Sequence, residues 1–207
     1  MRSDRRQHWD EVYGTKSSVD VSWYQPVPET SLRLIGNAGV AQQDPVIDAG
    51  GGASTLVDHL LEGGYSDVTI LDVARNGLGQ ARNRLGPRAA AVNWIVADVL
   101  SFEPPRQYRL WHDRAVLHFL VDEEERERYV AVLRNALAPG GQLVLATFGP
   151  RGPLKCSGLE IRRYTIEKVE ELLGPGFELQ AHELEDHRTP GGATQQFLYS
   201  SWTWRGA

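Results

Sequence analysis

The chain has 207 residues, 41% of them hydrophobic and 24% charged, and a formal net charge of -5. That length suits one domain with a full core, and the acidic balance argues against a nucleic-acid partner, Arg162-Arg163 being one small basic strip. A single cysteine, Cys156, excludes an internal disulfide and any cysteine-cluster metal site. No apolar run approaches a membrane span, and Met1 to Arg6 lacks the apolar core of a signal peptide, so the expected setting is the cytoplasm.

In chain order, Asp4 to about Gly14 reads as a helix with Trp9 and Val12 or Tyr13 on one side. An irregular stretch with Trp23-Tyr24-Gln25-Pro26 follows, and Glu29 to Gly36 reads as a second short helix through Leu32 and Ile35. Residues 1–40 are expected to form an N-terminal helical lid and 41–207 the main domain, one globular unit overall. Val46 to Asp48 is a buried strand, and the helix after Gly50-Gly51-Gly52 carries the stripe Leu56, Leu60, Leu61. Val68–Asp72 is strand two, Arg75–Leu85 a helix, Val92–Ala97 strand three and Tyr108–Arg114 strand four. Asp122 and Glu125 are spaced as a capping box for a helix burying Tyr129, Leu133, Ala136 and Leu137. Pro139-Gly140-Gly141 ends that helix before strand five, Gln142–Thr147. A looser segment, a helix at Thr165–Leu173 and two strands around the turn Thr189-Pro190-Gly191-Gly192 complete the chain. Alternating strands and helices predict a parallel sheet, and the last two strands, joined without a helix, must run antiparallel to each other.

The run Val46-Ile47-Asp48-Ala49-Gly50-Gly51-Gly52-Ala53-Ser54-Thr55 joins a buried strand to a helix through glycines that let a ligand touch the backbone. Asp72 then closes the second strand, where a carboxylate accepts from both hydroxyls of a ribose. An adenosine-containing cofactor is implied. The nicotinamide fingerprint requires a third glycine where Thr55 stands, and Asp48 would repel a diphosphate; it suits an ammonium group instead.

Asp48-x-Gly50-x-Gly52 resembles motif I of the class I, Rossmann-like S-adenosylmethionine-dependent methyltransferases. The resemblance covers about residues 46 to 148. It implies a three-layer α/β/α sandwich with a seven-stranded, mostly parallel sheet of order 3-2-1-4-5-7-6, the last strand reversed. It implies S-adenosylmethionine as cofactor and S-adenosylhomocysteine as product. Gly50, Gly51 and Gly52 would lie against the methionine part, Asp48 would hold its amino end, and Asp72 beside Val73 would hold the ribose. Asp98, with the amide of Val99, would bind adenine.

The stretch from Tyr108 to Asp122, with Ala115-Val116-Leu117-His118 within it, is similar to the small-molecule (type 11/25-like) branch. Asp113 and Arg114 are expected near the cofactor's methionine end, while Phe119 replaces a histidine common in that branch. Alternation puts His112 and Asp113 on opposite faces, and Asp113 is taken as the one facing the cofactor. No Asn-Pro-Pro-Tyr run is present, so nucleic-acid base methylation is not expected. His118 and Tyr24 are the candidate catalytic bases. Trp23, Tyr24, Cys156 and Arg163 are the candidate acceptor contacts, the last two in the loop after strand five. His8, His182 and His187 are read as surface residues, and no metal site is expected.

The reading is therefore methyl transfer to a small molecule by in-line displacement, without a nucleic-acid or membrane partner. Trp9-Asp10-Glu11-Val12-Tyr13 resembles the opening of some protein-lysine methyltransferases, which keeps a protein substrate as the alternative. A non-catalytic protein that binds the same cofactor is the other alternative.

Overall fold

Every residue of Val46–Ala49 (β1) and Val68–Asp72 (β2) is buried, as strands are when helices cover both sheet faces. The computed structural model describes residues 2–206; Met1 and Ala207, the outer limits of the two expected segments, lie outside the described residues. The remaining strands are β3 (Val92–Val96), β4 (Tyr108–Arg114), β5 (Leu137–Phe148), a small hairpin of β6 (Lys155–Cys156) and β7 (Leu159–Glu160), β8 (Phe177–Arg188) and β9 (Thr194–Trp204). Helices are α1 (Arg2–Thr15), α2 (Glu29–Asn37), α3 (Leu56–Glu62), α4 (Arg75–Leu85), α5 (Glu123–Ala136) and α6 (Ile166–Leu173). The seven-stranded sheet has the order β3-β2-β1-β4-β5-β9-β8, which is 3-2-1-4-5-7-6 when only its own strands are counted. β9 runs antiparallel to both β5 and β8.

Side-chain alternation sorts this sheet into two cores. Ile47, Ala49, Trp111, Leu143 and Leu145 pack with Tyr129, Leu133, Val169 and Leu173 of α5 and α6. Val46, Leu110, Val144 and Ala146 pack with Leu34 and Ile35 of α2, Leu56 and Leu60 of α3, and Leu78 of α4. Because β1 and β4 are parallel and Asp48 stands opposite His112, these two side chains share the α2–α4 face. Asp113 is thereby sent to the other face, which corrects the expectation that it faces the cofactor.

There Asp113 accepts from the Tyr129 hydroxyl at 2.6 Å and from the amides of Val116 at 2.8 Å and Leu117 at 3.3 Å. These bonds hold the sharp exit of β4, where Ala115 takes a positive φ of 82°. Burial raises the Asp113 carboxyl to about 6 despite the lowering effect of the Tyr129 bond.

Other expectations change, among them the end of α5 at Ala136, with Leu137 and Pro139-Gly140-Gly141 already in β5. Asp122 begins α5 with an extended backbone but makes no side-chain cap, and Glu125 pairs with Arg5 Nη2 at 2.9 Å, so the capping box does not form. The segment after β5 forms the β6–β7 hairpin instead of remaining irregular. His187 is buried rather than solvated, its Nε2 lying 2.8 Å from the Ser22 carbonyl. Among the described residues, no helix is long and apolar enough to cross a membrane.

Tyr129→Phe is expected to cost about 1.5–3 kcal/mol at pH 7.5, since it strips a hydrogen bond from a buried carboxylate. Urea unfolding at matched m-values measures it; a loss below about 0.5 kcal/mol would mean that this bond does not support the β4 exit.

Candidate functional site

The C-terminal ends of β1, β2 and β4 open on one cavity on the α2–α4 face, enclosing about 1260 Å³ of space that is partly open to solvent. This is the crevice where open α/β sheets bind ligands. Its lining brings together Asp48, Gly50, Gly51, Asp72, Val73, Asp98, Val99, Arg114, His118, Trp23, Tyr24 and Cys156 of the sequence-derived candidates. Asp113 lies outside it, as described, and Arg163 lies outside it with its guanidinium on the Gly152 carbonyl. Gly52 stands just behind the lining.

The three glycines have no room for side chains. A Cβ on Gly50, at φ 74°, would lie 2.0 Å from the Val116 side chain. A Cβ on Gly52, at φ 45°, would lie 2.6 Å from the Tyr13 hydroxyl and 3.0 Å from Asp72 Oδ2.

Asp48, only 2% exposed, is fixed by one oxygen and open at the other. His112 Nδ1 donates to Asp48 Oδ1 at 2.7 Å, and the far ring nitrogen lies 2.9 Å from the Ser31 hydroxyl on α2. Asp48 Oδ2 is buried with no partner. A buried carboxylate oxygen left so is costly unless a donor reaches it, and a ligand's ammonium group is such a donor. His112 and Ser31 escaped the sequence reading; the signal was the register that puts β4 beside Asp48.

Asp72 Oδ1 accepts from the Ala74 amide at 2.7 Å. Burial raises this carboxyl to about 7; the amide bond from Ala74 opposes the shift and nearby Asp48 adds to it. Asp98 accepts from the Leu100 amide at 2.9 Å and meets Arg5 Nη1 at 3.4 Å. Arg5 thus bridges Asp98 and Glu125, latching α1 across this end of the cavity. Asp10 and the Tyr13 carbonyl bond Asn76 and Gln80 of α4, which seats the same helix. The cover above is aromatic: Trp9 meets Trp23 at 5.8 Å and Phe119 at 5.0 Å between ring centroids. Thr55, standing where a nicotinamide fold has glycine, gives its hydroxyl to the Gln25 carbonyl at 2.7 Å and ties the Trp23–Gln25 loop down.

At the other end, His118 is fully buried and stacked on Phe148 at 4.3 Å. The Phe148 amide donates to its Nδ1 at 3.3 Å, so in the neutral ring the proton sits on Nε2, which has no partner. Burial and the Arg114 charge lower its pKa to about 3. This geometry makes His118 a hydrogen-bond donor and a poor base. Burial also raises the Cys156 thiol and keeps it protonated. His8, read as a surface residue, buries its Nε2 without a partner beside Trp9. Among the described residues, no group of three or more His, Cys, Asp or Glu is placed to hold a metal.

Residues 46–141 match the family model described as a methyltransferase domain. Among curated relatives, Nodulation protein S of Rhizobium tropici is 32% identical over 80 residues, covering 39% of this chain and 33% of that protein. The eEF1A lysine and N-terminal methyltransferase of Bos taurus is 24% identical over 157 residues, 72% of this chain and 22% of that protein. The chain thus spans about a fifth to a third of the length of these relatives. Among solved structures, 1,6-didemethyltoxoflavin-N1-methyltransferase of Burkholderia thailandensis, with 1,6-didemethyltoxoflavin and S-adenosylhomocysteine bound, superposes with a TM-score of 0.72 at 19% identity, covering 98% of this chain and 86% of that one. N-methyltransferase NodS of Bradyrhizobium japonicum, with S-adenosylhomocysteine bound, gives 0.68 at 19% identity, covering 85% and 84%.

With its folded-state pKa raised towards 7, Asp72 binds a proton in the folded chain that the unfolded chain has already lost above about pH 4. Folding stability of the cofactor-free protein relative to Asp72→Asn is therefore expected to fall between pH 4 and 7 and level off above. Urea midpoints of both proteins across that range test this; a difference that does not change with pH would contradict it.

Proposed function

We propose that this chain, whose residues 46–141 match a methyltransferase domain, belongs to the class I S-adenosylmethionine-dependent methyltransferases and transfers a methyl group from S-adenosylmethionine to a small-molecule acceptor. The observation that carries the reading is one cavity holding the unpartnered Asp48 Oδ2 and the buried Asp72 carboxyl beside a glycine turn with no space for side chains. S-adenosylmethionine, when bound, supplies an electrophilic methyl group on a positively charged sulfur. Asp48 Oδ2 would accept from the ammonium group, Asp72 from the ribose hydroxyls, and Asp98 with the Val99 amide would hold adenine. Gly50, Gly51, Gly52 and Val73 would let the ligand lie on the backbone.

Methyl transfer needs alignment and exclusion of water more than acid–base chemistry. Residues 1–40 act in this reading as a lid: Arg5, Trp9, Trp23 and Tyr24 cover the cavity, while α2 supports it from below through Ser31 and His112. Tyr24, not His118, is the side chain assigned to accept a proton where the acceptor must lose one. Trp23, Tyr24 and Cys156 would contact that acceptor; Arg163 sits outside the cavity and shapes the loop. A cytoplasmic setting belongs to the same reading.

A protein acceptor is the second reading, favoured by the longer stretch shared with the eEF1A lysine and N-terminal methyltransferase. The aromatic cover of Trp9, Trp23 and Phe119, which narrows the cavity mouth, supports the small acceptor instead. Incubating the protein with methyl-labelled S-adenosylmethionine and a cell extract separates them: label in the low-mass fraction is expected, and label confined to a protein band would overturn the small-molecule reading.

By calorimetry S-adenosylhomocysteine is expected to bind, with affinity rising with pH up to about 7 as Asp72 ionises. Asp72→Asn should weaken it by about 100-fold, the worth of two hydrogen bonds to a charged group. Equal affinity in the variant would remove Asp72 from the site.

A further inference from the structure

Arg114 closes β4 at the far side of the cavity from Asp72 and Asp98, and its guanidinium is held only by neutral groups. Nε donates to the Tyr199 hydroxyl at 2.8 Å and Nη1 to the Trp23 carbonyl at 3.0 Å, and the group lies 4.4 Å over the Phe197 ring. Nη2 is buried and has no partner. Among the described residues, no carboxylate forms an ion pair with Arg114; Glu185, the acid of this neighbourhood, is bonded by Gln25 at 3.2 Å.

A part-buried guanidinium whose Nη2 is shielded from solvent and meets no anion is incomplete, since an unpaired charge in a dry site is expensive. A second incomplete donor stands near it: His118 Nε2–H, fully buried, lining the same cavity and fixed as a donor by the Phe148 amide. Two donors without acceptors, one of them cationic, call for an oxyanion. The walls beside them, Phe148, Phe197, Phe119 and Trp23, are flat and apolar. The acids that would repel an anion, Asp48, Asp72 and Asp98, are grouped on the glycine-loop side.

Resting on the methyltransferase reading of the cavity, we infer that the methyl acceptor is a small anion: a flat apolar body whose oxyanion is bound by Arg114 Nη2 and His118 Nε2–H. Arg114 therefore belongs to the acceptor and not to the cofactor's methionine end. Tyr199 and Phe197 act as positioning residues, holding the guanidinium where its last donor faces the cavity. The anion would balance the Arg114 charge inside the closed site, which gives an acid-bearing acceptor an advantage over a neutral one of equal shape.

Calorimetry of the protein saturated with S-adenosylhomocysteine tests this, with benzoate, phenyl phosphate and neutral benzamide as probes. At least one of the two anions is expected to bind at least tenfold more tightly than benzamide, and the better of the two says whether the site is cut for a carboxylate or a phosphate. Arg114→Gln should erase the preference with benzamide unaffected, and Arg114→Lys should restore part of it. Should the Gln variant fail to fold, the Lys variant decides: a charge without the fork is expected to lower anion affinity several-fold, which shrinks the preference without erasing it. Benzamide binding as tightly as both anions, no probe binding, or a preference untouched by either substitution would overturn the inference. If S-adenosylhomocysteine binds in any of those cases, the methyltransferase reading survives alone; if it does not bind at all, both fall.

Discussion

Asp48 is bound on one side only, and the site is organised around that fact. Its Oδ1 is fixed by His112, which Ser31 of α2 fixes in turn, so a chain of three buried polar groups runs from the outer helix to the cavity wall. The other oxygen is kept dry and unpartnered. A fold does not retain such an atom for stability, because each buried acceptor without a donor costs about 1–3 kcal/mol. The glycine turn is shaped to the same end, with Gly51 so close that a Cβ there would lie 2.6 Å from Asp48 Oδ2.

Arg114 and His118 repeat the pattern. Arg114 Nη2 and His118 Nε2 are each buried without a partner, while Asp72 adds a buried carboxyl towards the opposite end of the cavity. The protein thus holds three unfinished polar contacts under an aromatic cover, and dry surroundings strengthen each one when it is completed. Stability is traded for a site already arranged in the folded chain.

Much of this frame was legible in the chain. Apolar runs closed by Asp48, Asp72 and Arg114 gave three central strands at nearly their observed bounds, because strands buried on both faces leave little ambiguity. Alternation also separated His112 from Asp113 correctly. Which of the two faced the ligand was not legible, since that depends on the register of β4 against β1, and register is set by packing of distant elements. The same limit explains the other departures. Asp122 and Glu125 have the spacing of a capping box, but Arg5, 120 residues earlier, offers Glu125 a charged partner. His187 looked solvated on an exposed strand until the Ser22 carbonyl covered it. His118 carries the right side chain for a base, and only its backbone donor, the Phe148 amide, reveals that its lone pair is occupied.

The most direct measurement of the central claim is a crystal structure with S-adenosylhomocysteine soaked into the protein. The account predicts the ligand's amino nitrogen within hydrogen-bond distance of Asp48 Oδ2 and both ribose hydroxyls on Asp72. A ligand seated elsewhere, or one whose amino group leaves Asp48 Oδ2 without a partner, would contradict it.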